Sequence, residues 1–326
     1  MTALHRQLGL VGSMAIGISA MLGAGGFYVW APAYERDGSW MIVSLAIAAV
    51  VATLNGLSTA QLAIQLPISG GIYSYGREYL GHFPGFVAGW LFLTGKIGSA
   101  AAIAYVAASY LVPDLAKLVA IIAVIAVSAA IISGIRVAAR VAIVIASFVV
   151  AGLLFVALPR GIWAEPLVLG DDGSVIGVLG AAGLMFFAFA GYARMATLGE
   201  EVLDPRRVIP RAIIGALWVV LVVYFIVGSA VLPELATVSV IPDSPLQLLQ
   251  TAPPWLIALL AALASLGSLM AIVAGLSRTA LAMARNRDLP GPLATVSPRT
   301  GGPVVAELTV AAVIIGLVIV TEPLWM

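Results

Sequence analysis

Residues 17–27 read GISAMLGAGGF, and they lie inside an apolar run long enough to cross a membrane. The stretch carries Gly17, Gly23, Gly25 and Gly26, and each glycine in a helix interior costs about 1 kcal/mol relative to alanine. Two reasons for weakening a spanning helix at its middle stand side by side. Small residues let neighbouring membrane helices approach closely, which makes the glycines packing positions. Alternatively the helix is meant to stop there, at a depth where non-helical backbone is tolerated only against protein or a water-filled cavity.

Composition bounds the rest. The chain is 62% hydrophobic and 10% charged, against roughly 45–50% and about 25% in an ordinary soluble domain, so an integral membrane protein is expected. There is no cysteine, and His5 and His82 are far apart. Disulfides, thiol catalysis and Cys-ligated zinc are therefore excluded, and neither a metal centre nor a cofactor is expected. A net charge of +1 without clustered Lys and Arg sets nucleic acid aside as a partner. No Cys, His and carboxylate cluster is available for acid–base or nucleophilic work, so an enzyme is not expected.

About 20 apolar residues are needed to cross a bilayer core. Nine such runs are present, at 8–31, 40–64, 84–111, 115–134, 138–158, 175–199, 210–232, 254–284 and 303–321. The first is too long for a secretory leader and lacks a small-residue cleavage site, so it reads as a retained helix. Between the sixth and seventh runs, EEVLDPRRVIPR reads as an elbow with Pro205 and Pro210 as breakers. Positive charge sets the orientation. Arg6, Arg77, Arg136, Arg140, Arg194, Arg206, Arg207, Arg211, Arg278, Arg285, Arg287 and Arg299 fall on one face, against Arg36, Lys117 and Arg160 on the other. A multi-pass protein of the cytoplasmic membrane is expected, with its N-terminus inside and its C-terminus outside after nine spans.

The sixth run is also weakened. GLMFFAFAGYARMATLGEEV places Gly191 at mid-span among Ala188, Ala190 and Ala193. Five helices separate equivalent points of the first and sixth runs, and that odd offset inverts the second unit relative to the first. Two interrupted helices so related are the mark of an inverted repeat whose binding site lies near the midplane.

Four segments carry a resemblance to a known family: GISAMLGAGGF, QLPISGGIYSYGREYLG, FFAFAGYARMATLGEEVLDPRRVIPRAI and GLSRTALAMARNRDLP. In this order they resemble the amino acid–polyamine–organocation (APC) superfamily, and within it bacterial amino acid permeases related to the cationic amino acid transporter group. The resemblance implies an all-α integral membrane protein with a five-plus-five inverted-repeat, LeuT-like transporter fold and discontinuous helices one and six. Residues 1–326 would form one transporter domain, with 8–158 as the first repeat (helices 1–5) and 175–321 as an incomplete second repeat (helices 6–9). Twelve helices are usual in the family. A chain ending at Met326 is expected to be a fragment, a truncated product or a reduced form.

The same resemblance implies a secondary transporter that moves an amino acid by alternating access, with helices one, two, six and seven rocking against three, four, eight and nine. The amides of Gly23, Ala24, Gly25 and Gly26 would hold the α-carboxylate. Carbonyls near Ser19, Ala20 and Met21, and near Phe189, Ala190 and Gly191, would face the α-ammonium. The side-chain pocket would include Phe187, Ala190, Thr94, Gly95 and Ser99, none of them charged. Ala193 stands where some relatives carry an acid, which favours a neutral substrate. Phe187 reads either as a gate or as a packed aromatic.

Lys96 is an ionisable residue near the centre of a span, a functional candidate by default. It is expected to couple proton movement to substrate movement, as an intramembrane lysine does on helix five of some relatives; the structural alternative is a hydrogen bond to carbonyls freed by a broken helix. Sodium is the other coupling ion considered, with Ser265 and Ser268 either supplying hydroxyls to it or packing helices. Arg194 is expected to pair with Glu200 or Glu201, and Arg278 to make a structural or gating contact. The non-transporting alternative is an amino acid sensor or an inactive permease binding through the same cleft.

Overall fold

The computed structural model describes residues 4–160, 174–238 and 245–321. The expected ends of the domain, 1–3 and 322–326, lie outside the described residues. Within them the chain is helical, and two isolated bridges, Leu8 with Val202 and Ser69 with Leu198, join loops without building a sheet.

The first apolar run is interrupted, as expected. Helix α1 (Leu10–Met21) ends where the Leu22 N–H bonds the Ile18 carbonyl, and helical backbone resumes at α2 (Gly25–Tyr28) and α3 (Trp30–Asp37). The 12 residues of α1 rise about 18 Å, a little over half of a hydrocarbon core of about 30 Å. The break therefore falls at mid-depth.

Next come α4 (Met41–Gln65), the short α5 (Ile72–Leu80), α6 (His82–Leu111), α7 (Ala116–Ile132) and α8 (Ile135–Ala157). Gly81, at φ +102°, turns the chain between α5 and α6 in a conformation that side-chain-bearing residues avoid. The sixth run is α9 (Val175–Phe189), capped by the Ser174 hydroxyl accepting from the Gly177 N–H. It passes through a 3₁₀ turn at Ala190–Ala193 into α10 (Arg194–Thr197). This second interruption is a tightening of the helix, gentler than the gap after α1, and mid-helix 3₁₀ geometry is a common mark of a hinge.

Helices α11 (Pro205–Leu235), α12 (Pro254–Arg285) and α13 (Val304–Val320) complete the described order. Pro205 sits in the first turn of α11, whereas Pro210, expected as a breaker, is carried inside the helix. So near the N-terminus its missing N–H removes a single early bond, and the long helix beyond it outweighs the loss. Among the described residues, seven helical segments are long and apolar enough to cross a membrane, and α1 and α13 are shorter apolar helices.

The core forms around α12, which is buried along almost its whole length and packs on α6, α8, α1 and α13. Ala100, Ala101, Ala104 and Ala108 on α6 are buried, and such small residues permit close helix approach in the absence of a hydrophobic drive between helices in lipid. On the other side of α1, α11 packs against α4, and α4 against α9.

Ionic ties close the end of the bundle where α1 begins. Arg278 on α12, fully buried, donates to Glu201 at 2.9 Å and to Glu307 on α13 at 2.6 Å. Arg285 pairs with Glu200 at 2.8 Å. Tyr73, Arg77 and His82, from α5 and the start of α6, all reach Asp288 at 2.7–2.9 Å. Burial alone would raise the Asp288 carboxyl, but the hydrogen bonds from Tyr73 and His82 and the Arg77 charge outweigh it and hold it below the usual carboxylate range. Burial first, and then the bond to Asp288, push the Tyr73 phenol up.

Candidate functional site

The two interruptions meet. A Cβ on Gly191 would lie 2.5 Å from the Ala20 carbonyl carbon and 2.6 Å from the Met21 nitrogen, and one on Gly23 would lie 2.6 Å from the Ser268 Cβ. Only glycine allows the 3₁₀ turn to press on the end of α1, and α1 to press on α12, this closely.

Beside that contact lies a cavity of about 500 Å³ walled by the breaks, α6, α9 and α12. Among the described residues the N–H groups of Gly23, Ala24 and Gly25 have no acceptor, while that of Gly26 bonds the Gly23 carbonyl at 3.0 Å. Unpaired N–H groups at the start of a helical segment carry partial positive charge and suit a carboxylate. A separate apolar crevice of about 350 Å³ between α4 and α11, lined by Leu45, Val50 and Phe225, touches neither break.

Of the candidate residues, Ala20, Met21, Gly23, Ala24, Gly25, Lys96, Ser99, Phe187, Ala190 and Gly191 line the cavity. Five other candidates do not. Ser19 is buried behind the wall, its hydroxyl donating to the Ala142 carbonyl at 3.3 Å. Gly26 faces the Tyr224 ring, 3.0 Å from where its Cβ would stand. Phe189 packs edge-on against Tyr224 at 5.2 Å. Thr94 returns its hydroxyl to the Trp90 carbonyl at 2.9 Å. Gly95 is outside the lining, which on α6 begins at Lys96.

The family model described as "Amino acid permease" matches residues 8–323. This chain belongs to the amino acid permease family. The permease is 45% identical over 333 residues to an uncharacterized transporter of Mycobacterium tuberculosis, covering 96% of this chain and 74% of the relative. It is 28% identical to the branched-chain amino acid permease BcaP of Bacillus subtilis, covering 93% of this chain and 72% of BcaP. Among solved structures it is similar to MhsT in complex with L-phenylalanine, with a TM-score of 0.69 at 15% identity over 97% of this chain and 80% of MhsT. The fold is thus the LeuT-like inverted-repeat transporter fold with interrupted first and sixth helices.

Two features of the permease's site correct the sequence reading. The five side-chain pocket residues named from the sequence are uncharged, yet Arg194 joins Lys96 in the cavity wall. Arg194 was expected to pair with Glu200 or Glu201, but these are held by Arg285 and Arg278. The 3₁₀ turn instead brings the Arg194 guanidinium 4.7 Å over the Phe92 ring, with Nη1 against Gly275 of α12.

Sequence reasoning also missed Tyr224, whose hydroxyl donates to the Met21 carbonyl at 2.6 Å. Nothing in its neighbourhood on an apolar helix distinguishes it from a packed aromatic. Ser268 stands beside the first break, 3.4 Å from the Ala20 carbonyl, while the buried Ser265 hydroxyl has no hydrogen-bond partner among the described residues. Lys96 makes no carbonyl contact among the described residues and lies 5.7 Å from the Phe187 ring centroid.

Proposed function

We propose that this permease is a secondary transporter that carries an amino acid across the cytoplasmic membrane by alternating access. One observation carries the reading. The amides of Gly23, Ala24 and Gly25 are left without acceptors at the start of a half-helix, facing a cavity between two abutting helix breaks. They bind the substrate's α-carboxylate. The α-ammonium lies against the Ala20 and Ala190 carbonyls; a carbonyl has two lone pairs, so Ala20 can accept from Ser268 and from substrate together. The segments α1–α4 and α9–α11 rock against α6, α7, α12 and α13. The N-terminal end, with its excess of arginines, faces the cytoplasm.

Protons drive the cycle, with Lys96 as the coupling group, since it is a cation in the cavity wall with no carboxylate opposite it. The substrate's side chain extends along α6 and α9. Ile103, Val106, Leu184 and Ile272 line that part of the cavity.

The test is counterflow of radiolabelled amino acids in proteoliposomes, with and without imposed pH and sodium gradients. Counterflow, together with accumulation driven by a pH gradient and indifferent to sodium, is expected. Ligand-dependent thermal stabilisation without any counterflow would instead make the protein a sensor or binding protein.

A further inference from the structure

The cavity wall carries two cations and no acid. Lys96 reaches it from α6 and Arg194 from α10, and none of the residues around the cavity is Asp or Glu. Each cation rests on an aromatic ring of the opposite helix, Lys96 beside Phe187 of α9 and Arg194 over Phe92 of α6. Neither belongs to an ion pair among the described residues. Arg194 is 2% exposed, and among the described residues its Nη1 has no hydrogen-bond partner. Of the carboxylates at that end of the bundle, Glu200 is engaged by Arg285, Glu201 and Glu307 by Arg278, and Asp288 by Arg77.

Buried charges are ordinarily paired, because an uncompensated one is costly. A face of an aromatic ring offsets only part of that cost. A bound zwitterion with a neutral side chain leaves the imbalance untouched, since its carboxylate and ammonium are both met by backbone. A second carboxylate on the substrate offsets one of the two charges and is attracted by both. The planar guanidinium fork of Arg194 matches carboxylate geometry, and Lys96 adds a point charge from the facing helix.

We infer that the substrate is a dicarboxylic amino acid whose side-chain carboxylate sits between Lys96 and Arg194. This rests on the transport reading above and names the substrate class of the same site. Excluding water from the charged contact strengthens the electrostatic attraction there. Phe92 and Phe187 keep the two cations in place while the site is empty.

The discriminating comparison is between side chains of one shape and different charge. The purified protein is assayed for thermal stabilisation and proteoliposome counterflow with L-glutamate against L-glutamine, and L-aspartate against L-asparagine, with L-leucine and L-lysine as further arms. The acids are expected to bind at least about tenfold more tightly than their amides. Arg194→Gln is expected to abolish that preference, Arg194→Lys to retain part of it, and Lys96→Gln to weaken it if Arg194→Gln does not fold. Tighter binding or faster exchange of the amides, L-leucine or L-lysine by the unaltered protein would overturn the inference while leaving amino acid transport standing. No binding and no counterflow for any arm would overturn both.

Discussion

The Tyr224 hydroxyl donates a 2.6 Å hydrogen bond to the carbonyl of Met21, tying α11 to the last residue of α1. A helix that stops leaves its final carbonyls without N–H partners, and here a side chain 203 positions away supplies one. The Tyr224 ring in turn meets Phe189 at 5.2 Å and Trp30 at 5.8 Å, both edge-on. Trp30 Nε1 closes the set by donating to the Gly26 carbonyl at 2.8 Å. One aromatic cluster thus holds the end of α1, the start of its outer half and the end of α9 in register.

Tyr224→Phe keeps the ring packing and removes the donor. Leaving a buried carbonyl unsatisfied costs about 1–3 kcal/mol, so thermal unfolding in detergent should fall by several degrees. Amino acid affinity should weaken as the break loosens. Unchanged stability and affinity would mean that the Met21 carbonyl finds water and that Tyr224 is only packed.

The two glycine breaks should respond differently to alanine. At Gly191 the new methyl would lie 2.5 Å from backbone atoms of Ala20, with no flexible side chain to yield, whereas at Gly25 it would touch Ala188 at an ordinary 3.6 Å. Gly191→Ala should therefore abolish counterflow, and Gly25→Ala should retain most of it. Gly25→Leu should fill the cavity and end binding while the protein still inserts in the membrane. Normal binding by Gly25→Leu would return that glycine to the packing role.

How far the sequence carried follows from what glycines and charges can signal. Gly23, Gly25 and Gly191 marked where helices stop because a glycine at mid-span has a fixed local cost. The partners of Arg194 were misread because Glu200 and Glu201 are near it in sequence, and only the 3₁₀ turn of Ala190–Ala193 shows that the side chain points inward. Thr94 and Gly95 were placed by likeness of position, which does not resolve rotation or depth along α6. Tyr224 was illegible, since its hydroxyl is needed only because α1 ends opposite it.

Arg278 holds two carboxylates in the core, and its loss would leave both uncompensated. Removing one partner of a buried ion pair costs about 3–5 kcal/mol, so Arg278→Met should fail to accumulate in the membrane. Adding Glu201→Gln and Glu307→Gln to the same chain should restore much of the accumulation, measured by fluorescence-detected size exclusion. Equal loss in the single and triple variants would show that Arg278 acts by shape rather than by charge.

Asp288 gives a pH signature. Its carboxyl is held below the usual range in the folded protein by Tyr73, His82 and Arg77, while the unfolded value is about 3.9. The stabilisation it provides is present above the unfolded value and is lost as pH falls through the lower folded one. Asp288→Asn should therefore lower the unfolding temperature at pH 6–7, and the deficit should shrink below about pH 4. A deficit constant across that range would assign the effect to packing at the end of α12.

Lys96 separates binding from coupling. It lines the cavity on α6 and rests beside Phe187, so its charge acts on whatever occupies the space between the breaks. If a proton on Lys96 travels with the cycle, Lys96→Met should keep exchange of labelled for unlabelled substrate, at reduced affinity, because exchange needs no net proton movement. Accumulation driven by an imposed pH gradient should disappear, and the pH dependence of the exchange rate should flatten. A variant that accumulates substrate under a pH gradient as the unaltered protein does would remove Lys96 from the coupling mechanism, leaving it a fixed charge in the wall.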